Sequence, residues 1–416
     1  MRSPWAFVPT LYFAEGLPYV LINSVSVILY KRMGLSNARI AFWTSFLYLP
    51  WVLKMFWGPL VDLRWTRRRW VVSTQLFMAC CLFLIAASLL GPGFLPLSLL
   101  AFTVGAFVSA THDIAVDGFY MMSLGPQDQA FFSGIRSTFY RLAMIFGSGA
   151  LVYLAGRLEA FTGQTALSWA AVLAVSGATF LGLGLYHWKM LPYPAADLEG
   201  SSGRRELLAG FGEVLRSYFA KDDIKVMLAF ILLYRFAEAL LLKMAAPFLL
   251  DSLEAGGMGL STSQVGIVYG TTGLLALVLG GVLGGWLISR YGFRKCLWPM
   301  VFCLHLPDLA YAYMAWAHPP LLVVAGLVAL EQLGYGVGYA AFTVYLLYTA
   351  EGRYQTSHYA VSTGIMALGM MLPGFISGAL QQATGYKTFF LIVVLMTIPS
   401  TLPVFFIRRE TLTGAS

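Results

Sequence analysis

Apolar stretches long enough to cross a bilayer, each closed by glycine, proline or charge, recur near residues 5–30, 38–61, 70–90, 95–122, 131–156 and 166–189. Six more follow near 223–250, 262–289, 297–316, 320–349, 358–382 and 386–407. At about 20 residues per membrane helix, twelve spans with short connections fit the chain. Runs such as Leu321 to Leu330 are unbroken, whereas a transmembrane β-barrel alternates apolar and polar positions over roughly ten residues. The pattern therefore predicts an all-α integral membrane protein. Between the two sets of six lies a long polar segment, 190–222, carrying Asp197, Glu199, Ser201, Ser202, Arg204, Arg205, Glu206, Glu213 and Arg216. It reads as a linker with a surface helix over 205–219, which divides the chain into bundles at 1–189 and 223–416.

Composition narrows the class further. Of 416 residues, 59% are apolar and 11% charged, with a mean hydropathy of +0.74; soluble domains lie near roughly 45–50% and about 25%. The net charge of +8 does not indicate nucleic acid, because its distribution is that of membrane loops. With both termini cytoplasmic, 17 of the 27 Lys and Arg residues fall on the cytoplasmic side and 5 on the other, and the remainder lie inside spans. Ala14-Glu15-Gly16 interrupts the first apolar stretch, so no cleavable signal peptide is expected. Cys80, Cys81, Cys296 and Cys303 lack metal-ligand spacing and read as packed free thiols. No metal or other cofactor is expected. The absence of HExxH, P-loop, Gly-x-Ser-x-Gly and EF-hand patterns argues against hydrolysis and ATP-driven transport.

Charges inside apolar spans cost several kcal/mol and mark candidate functional positions. Asp113 and Asp117 lie four apart in span four, on one face with Ala106 and Ala110. Two carboxylates so placed resist simultaneous ionisation, a condition suited to carrying a proton. Arg136 and Arg141, five apart in span five, point to different faces. Arg136 shares a face with Tyr140 and either binds an anionic solute through its planar fork or neutralises Asp113 or Asp117. In span seven Arg235 and Glu238 are three apart, spaced to pair with each other in part or to serve solute or coupling. Glu15 precedes Gly16-Leu17-Pro18, a helix interruption of the kind found at transporter binding sites. Glu331 precedes Gly334-Tyr335-Gly336-Val337-Gly338, glycines that admit a neighbouring helix or a solute. Lys54 is the single cation inside span two, Arg39 lying at its end, and a candidate partner for an acid, while Lys243 reads as a snorkelling side chain. Trp5, Tyr12, Trp43 and Tyr120 offer faces for sugar rings, against a plain role in the interfacial belt.

The chain also repeats itself. Gly58-Pro59-Leu60-Val61-Asp62 with Arg64 and Arg67 closes span two, and Gly285-Trp286-Leu287-Ile288-Ser289-Arg290-Tyr291-Gly292-Phe293-Arg294 closes span eight. Glu15 against Glu238 and Asp113 against Glu331 repeat at similar offsets. This repeated loop resembles the signature loop of the major facilitator superfamily. Within that superfamily the first half is similar to the muropeptide permease and acetyl-coenzyme A transporter group. The resemblance rests on Tyr12-Phe13-Ala14-Glu15-Gly16-Leu17-Pro18, Leu53-Lys54, Trp57 through Asp62, Arg67-Arg68-Arg69-Trp70 with Gln75, and Ala110-Thr111-His112-Asp113-Ile114-Ala115-Val116-Asp117-Gly118. It implies two pseudo-symmetric six-helix bundles in a bacterial cytoplasmic membrane. It further implies that Gly58, Asp62, Arg64, Arg67, Gly285, Arg290, Gly292 and Arg294 gate the cytoplasmic side, with Asp62 capping a helix N-terminus.

The leading reading is a proton-coupled importer of a cell-wall muropeptide or amino-sugar saccharide. Its proton sites would be drawn from Asp113, Asp117, Glu15, Glu238 and Glu331, and its solute contacts from Arg136, Tyr140, Arg235, Tyr12, Tyr120 and His112. The expected partners are a small solute, protons and lipid, with the chain a monomer. A same-fold alternative is an importer of a siderophore or other anionic metabolite. From another class, a membrane-embedded acyltransferase would use His112 and Asp113 as its base pair. Adjacent helical residues point about 100° apart, which weakens that alternative.

Overall fold

A computed structural model of the chain describes residues 3–193, 204–351 and 354–407; the side chains of residues 59, 60, 62–64, 126, 204–211 and 356 lie outside the described set. With no water in the hydrocarbon layer, backbone polar groups must bond within their own segment, so long apolar runs become helices. The helices before residue 191 are α1 (Pro4–Arg32), α2 (Asn37–Phe46), α3 (Leu49–Arg64), α4 (Arg67–Ser88), α5 (Phe94–Ser123), α6 (Gln127–Thr162) and α7 (Thr165–Met190). A helix, α8 (Arg204–Phe219), occupies part of the polar segment. Then come α9 (Ile224–Leu233), α10 (Phe236–Leu250), α11 (Thr262–Tyr291), α12 (Phe293–His305), α13 (Leu309–Ala317), α14 (Leu321–Ala350) and α15 (Gln355–Phe405). Among the described residues eight helices are long and apolar enough to cross a membrane. Their outward faces carry exposed Leu84, Leu100, Val282, Leu322 and Phe405, the surface lipid requires.

Several expected spans are broken. The second divides at Leu47-Tyr48, where α3 restarts with Pro50 in its first turn. The seventh divides at Tyr234-Arg235, where Arg235 leaves helical geometry at φ −110° and ψ 17°. The ninth passes through a 3₁₀ turn at Leu306–Asp308 around Pro307. The eleventh and twelfth form one run bent at Gly385, whose φ of 74° suits a residue without Cβ. In α1, Pro18 removes a backbone donor, and the chain runs through a widened π turn, Leu21–Val25, before regular helix resumes.

Two further π turns, Phe146–Leu151 in α6 and Val268–Gly273 in α11, mark a crossing of these helices. There Gly149 and Gly270 let the two backbones touch: a Cβ on Gly270 would overlap the Ser148 carbonyl. Gly270→Ala is expected to destabilise the protein by about 1–3 kcal/mol through overpacking. Gly285→Ala, at a helical position with open space, should raise stability slightly because alanine is the better helix former. Thermal unfolding of the two variants in detergent separates the effects.

One end of the molecule is sealed between earlier and later helices. Lys31 pairs with Asp251 at 2.5 Å. Asn37 donates to the Gln381 side-chain oxygen at 2.7 Å and to the Tyr386 hydroxyl at 2.8 Å, and Thr262 donates to Glu159 at 2.6 Å. Near the other end α8 docks on the start of α15. Tyr218 meets Ser362 at 2.8 Å, Ser217 meets His358 at 2.9 Å, and Tyr354 donates to Glu213 at 2.6 Å.

Candidate functional site

The earlier helices bring together five of the interior charges. On α5, the four-residue spacing of Asp113 and Asp117 gives each carboxylate its own surroundings. Asp117 accepts from the Tyr12 hydroxyl at 2.9 Å and pairs with Arg136 at 3.4 Å, and both members of this pair are half exposed. Arg136 also donates to the Tyr12 hydroxyl at 3.1 Å and lies over the rings of Tyr12 and Tyr120, 5.2 and 5.3 Å from their centroids. Deeper in, Asp113 Oδ2 accepts from the Trp51 indole at 3.0 Å and sits 4.0 Å from Lys54, while its Oδ1 is buried without a partner. Glu15 stands within electrostatic reach of both aspartates, Lys54 and Arg136, and its Oε2 is likewise buried and unbonded.

The later helices build a counterpart. Arg235, at the α9–α10 break, donates to the Tyr335 hydroxyl and lies 5.1, 4.8 and 5.6 Å from the ring centroids of Tyr335, Tyr339 and Phe342. Aromatic faces attract a guanidinium but do not cancel its charge. Among the described residues Arg235 makes no salt bridge, its Nε is buried without a partner, and it is only 7% exposed. Glu238, Asp308 and Glu331, from α10, the 3₁₀ turn and α14, lie within electrostatic reach of one another.

Tyrosines join the two groups. Tyr19 packs on Trp51 at 5.3 Å and on Tyr140 at 6.4 Å, and it lies within electrostatic reach of Arg235, Tyr339 and Tyr48. Tyr359 in turn lies within electrostatic reach of Tyr339, Arg136 and Asp117. Tyr19, Tyr48, Tyr140, Tyr335, Tyr339 and Tyr359 are all partly exposed, a lining of flat apolar faces tipped with hydroxyls.

Not every candidate converges on this lining. His112 turns away into a buried chain: its Nε2 meets Gln75 at 2.9 Å, Gln75 meets His187 at 2.8 Å, and His187 meets Thr10 at 2.9 Å. One residue of helix separates it from Asp113, enough to aim it at α4 and α7 instead. Trp5 packs on Phe132 at 5.1 Å and Trp43 on Phe42 at 5.3 Å, both in aromatic clusters of their own. Lys243 does not snorkel; it is buried and donates to Thr44 at 3.1 Å. Gly16 serves packing, since a Cβ there would strike the Tyr140 carbonyl. Of the proposed gate residues, Arg67 donates to the Ile114 carbonyl at 2.9 Å and its guanidinium covers Gly118, which ties α4 to the helix of the two aspartates. Gly292 takes a φ of 81° between α11 and α12, and Arg290 and Arg294 flank it, exposed. Gly58 and Gly285 each have room around them. The side chains of Asp62 and Arg64 lie outside the described residues. Asp308, Tyr19, Tyr48, Tyr335, Tyr339 and Tyr359 were not anticipated. Asp308 was detectable as an acid inside span nine, whereas the tyrosines blend into an aromatic-rich sequence.

Apolar helices around a lining of paired charges, an unpaired arginine and tyrosines define a membrane transporter. The Major Facilitator Superfamily model matches residues 10–378, and the chain belongs to that superfamily. The chain is 25% identical to the anhydromuropeptide permease of Escherichia coli (strain K12) over 98% of its own length and 80% of the permease. A putative transporter AmpG 4 of Rickettsia conorii is 24% identical, with 94% of this chain and 93% of that one covered. The fold matches the crystal structure of a D-xylose-proton symporter with a TM-score of 0.75 at 14% identity, covering 99% of both chains. The protein is thus a transporter resembling the muropeptide permeases, and the acyltransferase reading falls away.

Proposed function

We propose that this protein imports an anionic, sugar-containing solute of the anhydromuropeptide kind, together with protons, across a bacterial cytoplasmic membrane. Bundles 1–189 and 223–416 rock about the tyrosine-lined site while the segment 190–222 stays cytoplasmic, and a single copy suffices. Arg235 carries this reading. A guanidinium removed from water without a carboxylate partner is costly, and a solute carboxylate entering beside Tyr335 and Tyr339 relieves the cost. The tyrosine faces suit the C–H faces of a sugar and their hydroxyls its polar edges. The Lys- and Arg-rich loops support a cytoplasmic position for both termini. In that orientation the sealed Lys31–Asp251 end faces outward and the half-exposed Asp117–Arg136 pair opens inward.

Uptake into proteoliposomes tests the proposal. With the outside acidified, a radiolabelled anhydromuropeptide should accumulate inside, and a protonophore should abolish the accumulation. Accumulation of a ferric siderophore or a coenzyme A ester, with none of the muropeptide, would favour the anionic-metabolite alternative and sink this reading.

A further inference from the structure

One layer inward of the Lys31–Asp251 pair, the sealed end encloses a cation without a countercharge. Lys243 lies on α10 eight residues after Arg235 and eight before Asp251, about 12 Å from each along the helix at roughly 1.5 Å per residue. It is 6% exposed, and among the described residues it makes no salt bridge. Its Nζ donates across the bundle interface to the Thr44 hydroxyl at 3.1 Å. That hydroxyl gives its own proton to the Ile40 carbonyl at 2.7 Å, so toward Lys243 it accepts. The ring of Tyr48, at the α2–α3 break, lies 5.4 Å from Nζ, and an aromatic face attracts the charge without cancelling it. Tyr48 is also within electrostatic reach of Arg235, which sets it between the two cations.

A second observation lies on the opposite wall. Ser45, on α2, is fully buried and its hydroxyl has no partner. It comes close to Lys243 at Gly374 of α15, where a Cβ would strike Ser45 Oγ and press on Lys243 Cε. An ammonium has three donors, and one goes to Thr44. The contact of α2, α10 and α15 thus closes over two N–H groups and one O–H for which the described residues place no acceptor. Donors without an acceptor, one of them charged, suit an anion. An ammonium enclosed this way is costly, and parting α2 from α10 and α15 returns it to water. We propose that Lys243 is the first contact for the solute on the outward-facing side: when the seal opens, its ammonium stands in the outer mouth and takes a solute carboxylate, one layer outside the Arg235 site. Its use by the solute rests on the anionic-solute reading and the orientation given above. The cation in the opened mouth needs the orientation alone.

Thiol labelling reads the opened mouth without any solute. In sealed cells, Ser45→Cys is exposed from outside to impermeant thiol reagents, one carrying a sulfonate and one a quaternary ammonium, and compared with the unsubstituted chain. The sulfonate reagent should react about tenfold faster, since a cation in a confined mouth concentrates anions. Lys243→Met in the same chain should erase that preference. No labelling above the unsubstituted chain, or a preference indifferent to Lys243→Met, overturns the proposal. So does a preference that vanishes when chloride replaces gluconate, which would make a free halide the occupant. Transport supplies the second comparison. Lys243→Met should raise KM for an anhydromuropeptide about tenfold in right-side-out vesicles and leave it unchanged in inside-out vesicles, where Arg235 meets the solute first. An equal rise from both faces reports a merely structural role and overturns the proposal. Methionine has a similar reach and no charge, so the unfolding midpoint of the sealed protein should rise by about 2–4 °C; an equal fall would mean that the amine holds the seal together, against the proposal. Should Lys243→Met fail to fold, Lys243→Gln, which keeps a donor for Thr44, carries the same comparisons. If the labelling preference holds and no muropeptide is taken up, the solute assignment fails while the anion contact stands; uptake without the preference gives the reverse.

Discussion

Arg235→Lys lowers affinity for an anhydromuropeptide by about 2–4 kcal/mol, roughly 30- to 1000-fold, with the protein still folded. Lysine keeps the charge but not the planar fork, so it cannot present two parallel donors to a carboxylate while lying flat against Tyr339. The contrast is Arg136→Lys. Arg136 already has Asp117 at 3.4 Å, and the pair is half exposed. Exposed ion pairs contribute little and tolerate a change of cation, so affinity should fall by less than about 1 kcal/mol. Isothermal titration of both variants decides which arginine anchors the solute. Equal losses would mean that the solute spans both; a loss confined to Arg136→Lys would move the anchor to the Asp117 side.

That ordering was not legible in the sequence, where Arg136 and Arg235 look alike as cations in apolar runs. What the sequence does convey is cost: a charge in a span must be used or paired. Asp113, Asp117, Glu15, Glu238 and Glu331 stand out on that ground, and the structure sets each beside other charged or polar groups. Which partner each finds depends on helix rotation and on breaks, and hydropathy averaged over a span registers neither. The break at Tyr234-Arg235 is an example. It frees Arg235 from the helix, yet the stretch reads as continuous span because its neighbours Leu232, Leu233, Phe236 and Ala237 are apolar. Tyrosine is the other blind spot. It counts as apolar in the pattern, so Tyr19, Tyr48, Tyr335, Tyr339 and Tyr359 pass for core or interfacial belt until tertiary packing places them around one site. His112 shows the converse error, since adjacency to Asp113 along the chain says nothing of a shared face.

Asp113→Asn abolishes uphill accumulation while leaving exchange between equally loaded sides measurable. A proton entering gains about 2.3 kcal/mol per 100 mV, and a carrier can use this only if some group binds protons differently in its two states. Asp113 is built for that difference. Its Oδ2 is held by Trp51 and approached by Lys54, both on α3, while Oδ1 has no partner. The same helix meets α15, where a Cβ on Gly364 would press on the Val52 carbonyl. When the bundles rock, α3 must move against α15 or against α5, and in the second case the field of Lys54 at Asp113 changes. A carboxylate that gains a nearby cation releases its proton; one that loses it takes the proton up. Asparagine keeps the shape and the Trp51 hydrogen bond but cannot titrate, so the empty and loaded carriers both cycle and only the coupling is lost. Counterflow and acid-driven uptake, measured in the same vesicles, separate the two activities. Should Asp113→Asn vesicles still concentrate solute when acidified outside, the driving proton is carried elsewhere, and Glu15 is tested next, followed by Glu238 and Glu331.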